Sequence, residues 1–169
     1  LVGSEMCIRD RTNTLDNGGN IKVLGNRIAL EDEAKISSSG ANGGGEILIG
    51  GNYLGKGPEP NASVTVILEG AEITADATNC CDGGRGIVWI DDYTNFSGSI
   101  SAKGSIDGNG GFVETSSKNN LQVFGSVDAG GGISAGLSGS YRCVFDRRSV
   151  HFADQSDRRS NLWLSRPQG

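Results

Sequence analysis

The sequence predicts an all-β chain wound as a parallel β-helix, a solenoid fragment of about four to five rungs. Three observations predict it. A Gly-Gly pair opens a short aliphatic strand four times, at Gly18-Gly19, Gly44-Gly45, Gly83-Gly84 and Gly110-Gly111. A second strand of the form small-x-aliphatic-x-small follows each pair: Ala34–Ser38, Ala71–Ala75, Gly98–Ala102 and Gly125–Ala129. The interval between the two is nearly constant: Gly84 to Ile100 matches Gly111 to Val127, and Gly19 to Ile36 is longer by a single position. Self-similarity at a period in the twenties marks a chain in which each repeat buries its apolar face only against the next.

The repeats follow in order. The first runs from Gly18-Gly19-Asn20-Ile21-Lys22-Val23 to Ile36. The second opens at Gly45, and its interval from there to Ile73 exceeds that of the third and fourth by a dozen positions. Gly55–Ser63, rich in Gly and Pro that cannot sustain a strand ladder, is the predicted insertion, a loop projecting from the shaft. The third repeat carries Gly86 where its neighbours carry aliphatic residues, which leaves a bulge open there. The fourth opens at Gly111, and the step from Gly84 is one position longer than the step from Gly19 to Gly45.

Alternation along a strand puts Ile21 and Val23 on one face and Lys22 on the other. In-register stacking then predicts three columns: Ile21, Ile47 and Val113; Val23, Ile49, Val88 and Thr115; Ile36, Ile73, Ile100 and Val127. Each buried aliphatic side chain contributes roughly 1.5–3 kcal/mol. Ala or Gly stands two residues before every member of the third column, where the chain turns inward and leaves no room for bulk.

Glycine accounts for 28 of 169 residues, against a usual ~7 %, and it falls at turns rather than in one run. Aromatic residues are 6 %, as a thin coil requires. No window sustains a period of 3.6, so almost no helix is expected, and no apolar stretch approaches the ~18 residues of a membrane span.

Both ends differ from the middle. Residues 1–11 (Leu1 to Arg11) resemble the conceptual translation of a sequencing adapter and are set aside from fold reasoning, as a processing scar would be. From Leu137 the glycine turns stop and Arg142, Arg147, Arg148, Arg158, Arg159 and Arg166 appear. Residues 137–169 are either a genuine basic terminus or a frameshifted tail. The whole chain carries −5; the tail carries +3 and residues 1–11 are neutral, so 12–136 carry −8. An acidic body argues against a nucleic-acid partner.

Residues 18–130 also resemble a known family. Gly19–Ile28, Gly43–Gly57, Gly83–Asp91 and Asn109–Ser116 are similar, in the same order, to the filamentous haemagglutinin-like exoproteins of bacterial two-partner secretion. The resemblance implies a right-handed parallel β-helix within a large secreted or surface-held protein. It implies export through an outer-membrane partner β-barrel transporter and adhesion to host-cell or surface glycans or proteins. The family's Asn-Pro-Asn secretion motifs are absent, so this piece is expected to lie downstream of them. Val144-Phe145-Asp146-Arg147 lacks the Pro of the family's usual Asp-Pro ending.

No catalytic, cofactor or metal residues are assigned, and an enzyme is not expected. Asp91-Asp92 are adjacent on a strand and point to opposite faces, which reads as a solvated rung edge. The enzyme alternative, a β-helical polysaccharide lyase, would need Asp76, Asp82, Arg85, Asp91 and Lys103 to meet across rungs. Glycan binding by the 55–63 loop and neighbouring rungs is the other alternative. Gly83-Gly84-Arg85-Gly86-Ile87-Val88 lacks the Asp of a calcium nonapeptide. Gly130–Ala135 satisfies a dinucleotide string with no helix pattern after it. Cys80-Cys81 reads as two small turn residues or a vicinal disulfide, with no zinc spacing. His151, the single histidine, leaves no histidine triad in the repeat region. Asn61-Ala62-Ser63 and Asn95-Phe96-Ser97 are sequons by pattern alone. The expected function is a structural shaft segment of an adhesin, cut so that an open rung at each end invites edge-to-edge association.

Overall fold

The computed structural model describes residues 7–9, 16–132, 144–146 and 149–153, with side chains described over 16–132. Most of the adapter-like segment and of the basic tail lies outside the described residues. The strands among the described residues are β1 (Cys7–Arg9), β2 (Asn20–Val23), β3 (Arg27–Leu30), β4 (Lys35–Ser37), β5 (Glu46–Ile49), β6 (Ala62–Ile67), β7 (Glu72–Thr74), β8 (Arg85–Phe96), β9 (Ser99–Ser101), β10 (Phe112–Ser117), β11 (Asn120–Val123), β12 (Ser126–Asp128), β13 (Val144–Asp146) and β14 (Ser149–Ala153). The single helical segment among the described residues is a 3-10 turn at Tyr53–Gly55. No helix among the described residues is long and apolar enough to cross a membrane.

The strands form two sheets. One runs β1-β4-β7-β9-β12; the other contains β2, β5, β8 and β10 with β3, β6 and β11 beside them. Every pairing between strands of residues 16–132 is parallel. Each strand pairs with its counterpart one turn of chain later, the arrangement the repeat spacing predicts.

The three predicted columns stand in register. Ile21 lies beside Ile47 and Val23 beside Ile49, and the second of these columns continues through Val88 to Thr115. Ile36, Ile73, Ile100 and Val127 form the opposing column. Gly86 keeps register with both Ile47 and Val113, so there is no bulge. A Cβ at Gly86 would lie 2.7 Å from Ile100 Cδ1, so the isoleucine of the opposite sheet occupies the space that a side chain there would take.

Each turn contains three strand segments, not the two read from the sequence. The third segment is β3, β6, the second half of β8, and β11, and its inward residues form the column Leu30, Ile67, Phe96 and Val123. The small residues ahead of the Ile36 column make room for this one. A Cβ at Gly98 would meet Ile67 Cγ2 at 2.9 Å, and one at Gly125 would meet Phe96 Cε1 at 2.7 Å.

The Gly-Gly pairs have a different origin, a contact of backbone on backbone. A Cβ on Gly45, Gly84 or Gly111 would overlap the carbonyl oxygen of Gly19, Gly45 or Gly84 respectively, one turn below. The second glycine of each of these pairs is stacked on the second glycine of the pair before it, and at Gly84 and Gly111 the nearest atoms are all backbone, while at Gly45 the Ser38 hydroxyl also stands close.

Two further expectations need correction here. The excess of the second repeat is divided, not a single insertion. Ladder register matches Ile49 with Val88 and Val64 with Tyr93, and the first pair of ends lies ten positions further apart in sequence than the second. It also matches Ile67 with Phe96 and Glu72 with Ser99, where the difference is two. The larger part of the excess therefore enters between β5 and β6 and the smaller in the turn before β7. The edges are also less open than expected, because β1 pairs with β4 and β14 runs antiparallel along β10. An unpaired parallel edge accepts a strand of either direction, since its N–H and C=O groups remain available.

Candidate functional site

The outward face of the larger sheet is where the structure departs most from the alternating pattern. The register column Lys22, Leu48, Ile87 and Glu114 points away from the core, yet Leu48 and Ile87 are each 1 % exposed and Glu114 is 0 %. The extra chain between β5 and β6 covers them. Rather than projecting outward, residues 50–61 lie back across this face, correcting the predicted projecting loop.

The attachments of this strap reach from the first turn to the fourth. At one end Glu59 Oε1 accepts from Lys22 Nζ at 2.7 Å, and Glu59 Oε2 accepts from Asn52 Nδ2 at 2.8 Å. In the middle Trp89 lies against strap backbone: a Cβ at Gly51 would be 2.8 Å from Trp89 Cδ1, and one at Gly55 would be 2.5 Å from Trp89 Cε2. Asn52 Oδ1 also accepts from the Tyr53 amide at 2.7 Å, starting the 3-10 turn that leads to the far end. Leu54, in the left-handed region at φ 54°, donates its amide to Glu114 Oε2 at 3.4 Å. The Tyr53 ring meets Phe112 edge-on with centroids 5.6 Å apart. The Arg85 guanidinium lies 5.1 Å from the Tyr53 centroid and 5.5 Å from that of Phe112, where the negative ring faces attract a cation.

The two carboxylates of the strap contacts titrate in opposite directions. Hydrogen bonds from Lys22 and Asn52 hold the Glu59 carboxyl down at about 2. Burial pushes the Glu114 carboxyl above the ordinary carboxylate range, while the Ser116 hydroxyl (2.6 Å), the Leu54 amide and Arg85 pull it back. Glu59 therefore stabilises the folded chain above its unfolded value near 4.5, and that contribution is lost as pH falls through about 2. For Glu114 the sign is reversed. Its contribution is complete below the unfolded value of 4.5 and is lost as pH rises through the raised one. Glu114→Gln removes the second dependence, so the melting temperature of the variant should gain on wild type as pH rises from about 4 to about 8. Parallel melting profiles over that range would refute this assignment.

The lyase carboxylates and cations are each engaged separately. Asp76 accepts from the Ser101 hydroxyl and the Lys103 amide, both at 2.6 Å. Asp82 accepts from the Asn109 amide at 2.8 Å. Asp91 accepts from Asn61 at 3.3 Å and Asp92 from Asn119 at 3.0 Å, on different neighbours as their opposite faces require. Arg85 pairs with Glu46 at 3.6 Å and Lys103 with Asp128 at 3.7 Å. These residues hold turns and rung edges, and the link between Asp76 and Lys103 runs through the backbone amide of the lysine. Among the described residues no three His, Cys, Asp or Glu side chains cluster as metal ligands do.

Cys80 and Cys81 form a vicinal disulfide, which decides between the two readings of that pair. His151 sits in β14, opposite Glu114 in register. Gly130–Ala135 runs partly outside the described residues. Sequence reasoning missed Glu114 and the strap, although Glu46-Ile47-Leu48-Ile49 carried a signal: consecutive aliphatic residues on a strand need cover on both faces.

No protein-family model and no curated protein matches the sequence. A solved structure does. The similarity is to the HMW1 secretion domain from Haemophilus influenzae. That crystal structure is 30 % identical with a TM-score of 0.57, over 68 % of this chain and 31 % of the other. The chain thus spans less than a third of the structure it resembles.

Proposed function

We propose that this chain is a length of shaft from a large secreted or surface-held bacterial adhesin, a right-handed parallel β-helix of the filamentous haemagglutinin-like type exported by two-partner secretion. The observation that carries the reading is the in-register parallel stacking of four successive turns, in a chain similar to a secretion domain. The family resemblance of residues 18–130 supports it further.

The mechanism is mechanical. Backbone hydrogen bonds along continuous parallel ladders, with aliphatic columns inside, make a rod that resists bending and carries distal binding regions away from the cell. Export would use an outer-membrane β-barrel transporter as partner, and the displayed rod would meet host-cell or surface glycans or proteins. The carboxylates that a lyase would use are engaged separately at turns and a rung edge, which favours a structural role over an enzymatic one.

Electron microscopy of the full parent protein, with and without residues 16–132, tests this. Turns of a parallel β-coil rise about 4.8 Å each, so removing four shortens the rod by about 19 Å. An unchanged rod length, or release of unsaturated uronates from pectin or alginate with or without calcium, would overturn the shaft reading.

A further inference from the structure

We propose that Cys80–Cys81 is a reversible thiol–disulfide exchange site for small external thiols, and not a structural staple. The case rests on the turn itself and stands whether or not the chain is an adhesin shaft.

A disulfide stabilises a fold chiefly by closing a loop in the unfolded chain, and the benefit grows with loop length. Cys80 and Cys81 are adjacent, with a sequence separation of 1, so their bond closes almost nothing. The turn is already secured by its neighbours on both sides. The amides of Asn79 and Cys80 donate to Ala41 O at 3.1 and 3.0 Å in the turn below. In the turn above, the Ser105 amide donates to Cys81 O at 3.0 Å and the Ser105 hydroxyl to Asn79 O at 2.6 Å. The Asn109 amide donates to Asp82 next door at 2.8 Å. These bonds survive loss of the sulfur bridge, so the pair is free to cycle without unwinding the turns.

Access and conformation point the same way. Cys81 is exposed and Cys80 half-buried, so an incoming thiolate meets Cys81 Sγ first, and exposed disulfides are the labile ones. Cys81 is also held at φ 77°, in the left-handed region that a non-glycine residue occupies only at a cost.

The exchange balances as follows. The external thiolate attacks Cys81 Sγ, its sulfur bonds to Cys81, and the Cys80–Cys81 bond breaks to leave Cys80 as a thiolate. Cys80 can expel the newcomer and re-form the ring. Alternatively a second external thiol attacks the mixed disulfide, giving two cysteine thiols and one external disulfide. Two external thiols are oxidised and one protein disulfide is reduced.

The test is differential alkylation of the full chain under native conditions, titrated with glutathione or dithiothreitol and mapped by peptide so that Cys7 and Cys143 are scored separately. Cys80 and Cys81 should pass together from unlabelled to labelled, with the melting temperature shifted by less than about 2 °C. Phenylarsine oxide, which bridges two thiols, should then label the reduced chain at this turn and fail on both the oxidised chain and C80S. Re-oxidation should restore the unlabelled state. Labelling before any reductant, labelling that needs denaturant, or a reduction that melts the turns would each overturn the proposal. The double variant C80S/C81G, with glycine at the left-handed position, should melt like wild type; a marked loss would show that the bridge is structural.

Discussion

Replacing Gly84 with alanine should destabilise the chain by about 3 kcal/mol or more, a large part of the stability of a domain this size. The new Cβ would overlap Gly45 O and stand 2.6 Å from Gly44 C and 2.8 Å from Ala75 O. All three are backbone atoms within hydrogen-bonded ladders, so relief requires parting two turns. The Gly84 amide donates to Ala75 O at 2.7 Å and the Arg85 amide to Gly45 O at 2.8 Å, and both bonds lie where the turns would separate. Gly25→Ala is the control. A Cβ there would meet nothing closer than Arg27 O at 3.7 Å, so its effect should stay within about 0.5 kcal/mol. Urea midpoints of the two variants decide the matter, and equal midpoints would show that the Gly-Gly pairs are not close-approach sites.

Phe96→Ala should cost about 4 kcal/mol, the loss expected for a buried phenylalanine whose cavity cannot collapse. Phe96 is 0 % exposed and belongs to the column Leu30, Ile67, Phe96 and Val123. Its backbone is bound on both sides, with the Ser97 amide donating to Ile67 O and the Phe124 amide to Phe96 O, each at 2.8 Å. The ladders therefore keep the walls of the cavity apart. Phe124, 74 % exposed, provides the comparison: Phe124→Ala should change stability by no more than about 0.5 kcal/mol. A similar loss at both positions would mean that the Phe96 column is not the core.

These two positions also show what was legible and what was not. The Gly-Gly pairs are visible as a repeat, and their spacing correctly aligned Ile21 with Ile47 and Ile36 with Ile73. The Phe96 column went unread because its strand lacks a glycine marker and because β8 runs unbroken from Arg85 to Phe96, merging two segments that other turns keep apart. At the strap, Gly and Pro content correctly marked residues 55–63 as a break in the ladder, although the strand resumes at Ala62. That content is silent on direction, and the loop turned back to cover the face instead of leaving it. Glu114 is consequently an outward residue of its strand by register but not by environment.

By itself the sequence determined which glycine-marked segments become strands, their parallel stacking turn upon turn, and the inward columns they carry. Each of these follows from local terms, the two-residue alternation of a strand and the near-constant distance between glycine pairs. Only the tertiary structure decided that one outward face is buried. That outcome depends on contacts between residues far apart in the chain, Lys22 with Glu59 and the Leu54 amide with Glu114, 37 and 60 positions away. No local pattern encodes where the extra chain of the second repeat comes to rest. It settles on the face that already offers Leu48, Ile87 and Trp89, because covering apolar surface there is favourable and the ion pair at Lys22 and the aromatic contacts of Tyr53 hold the two ends.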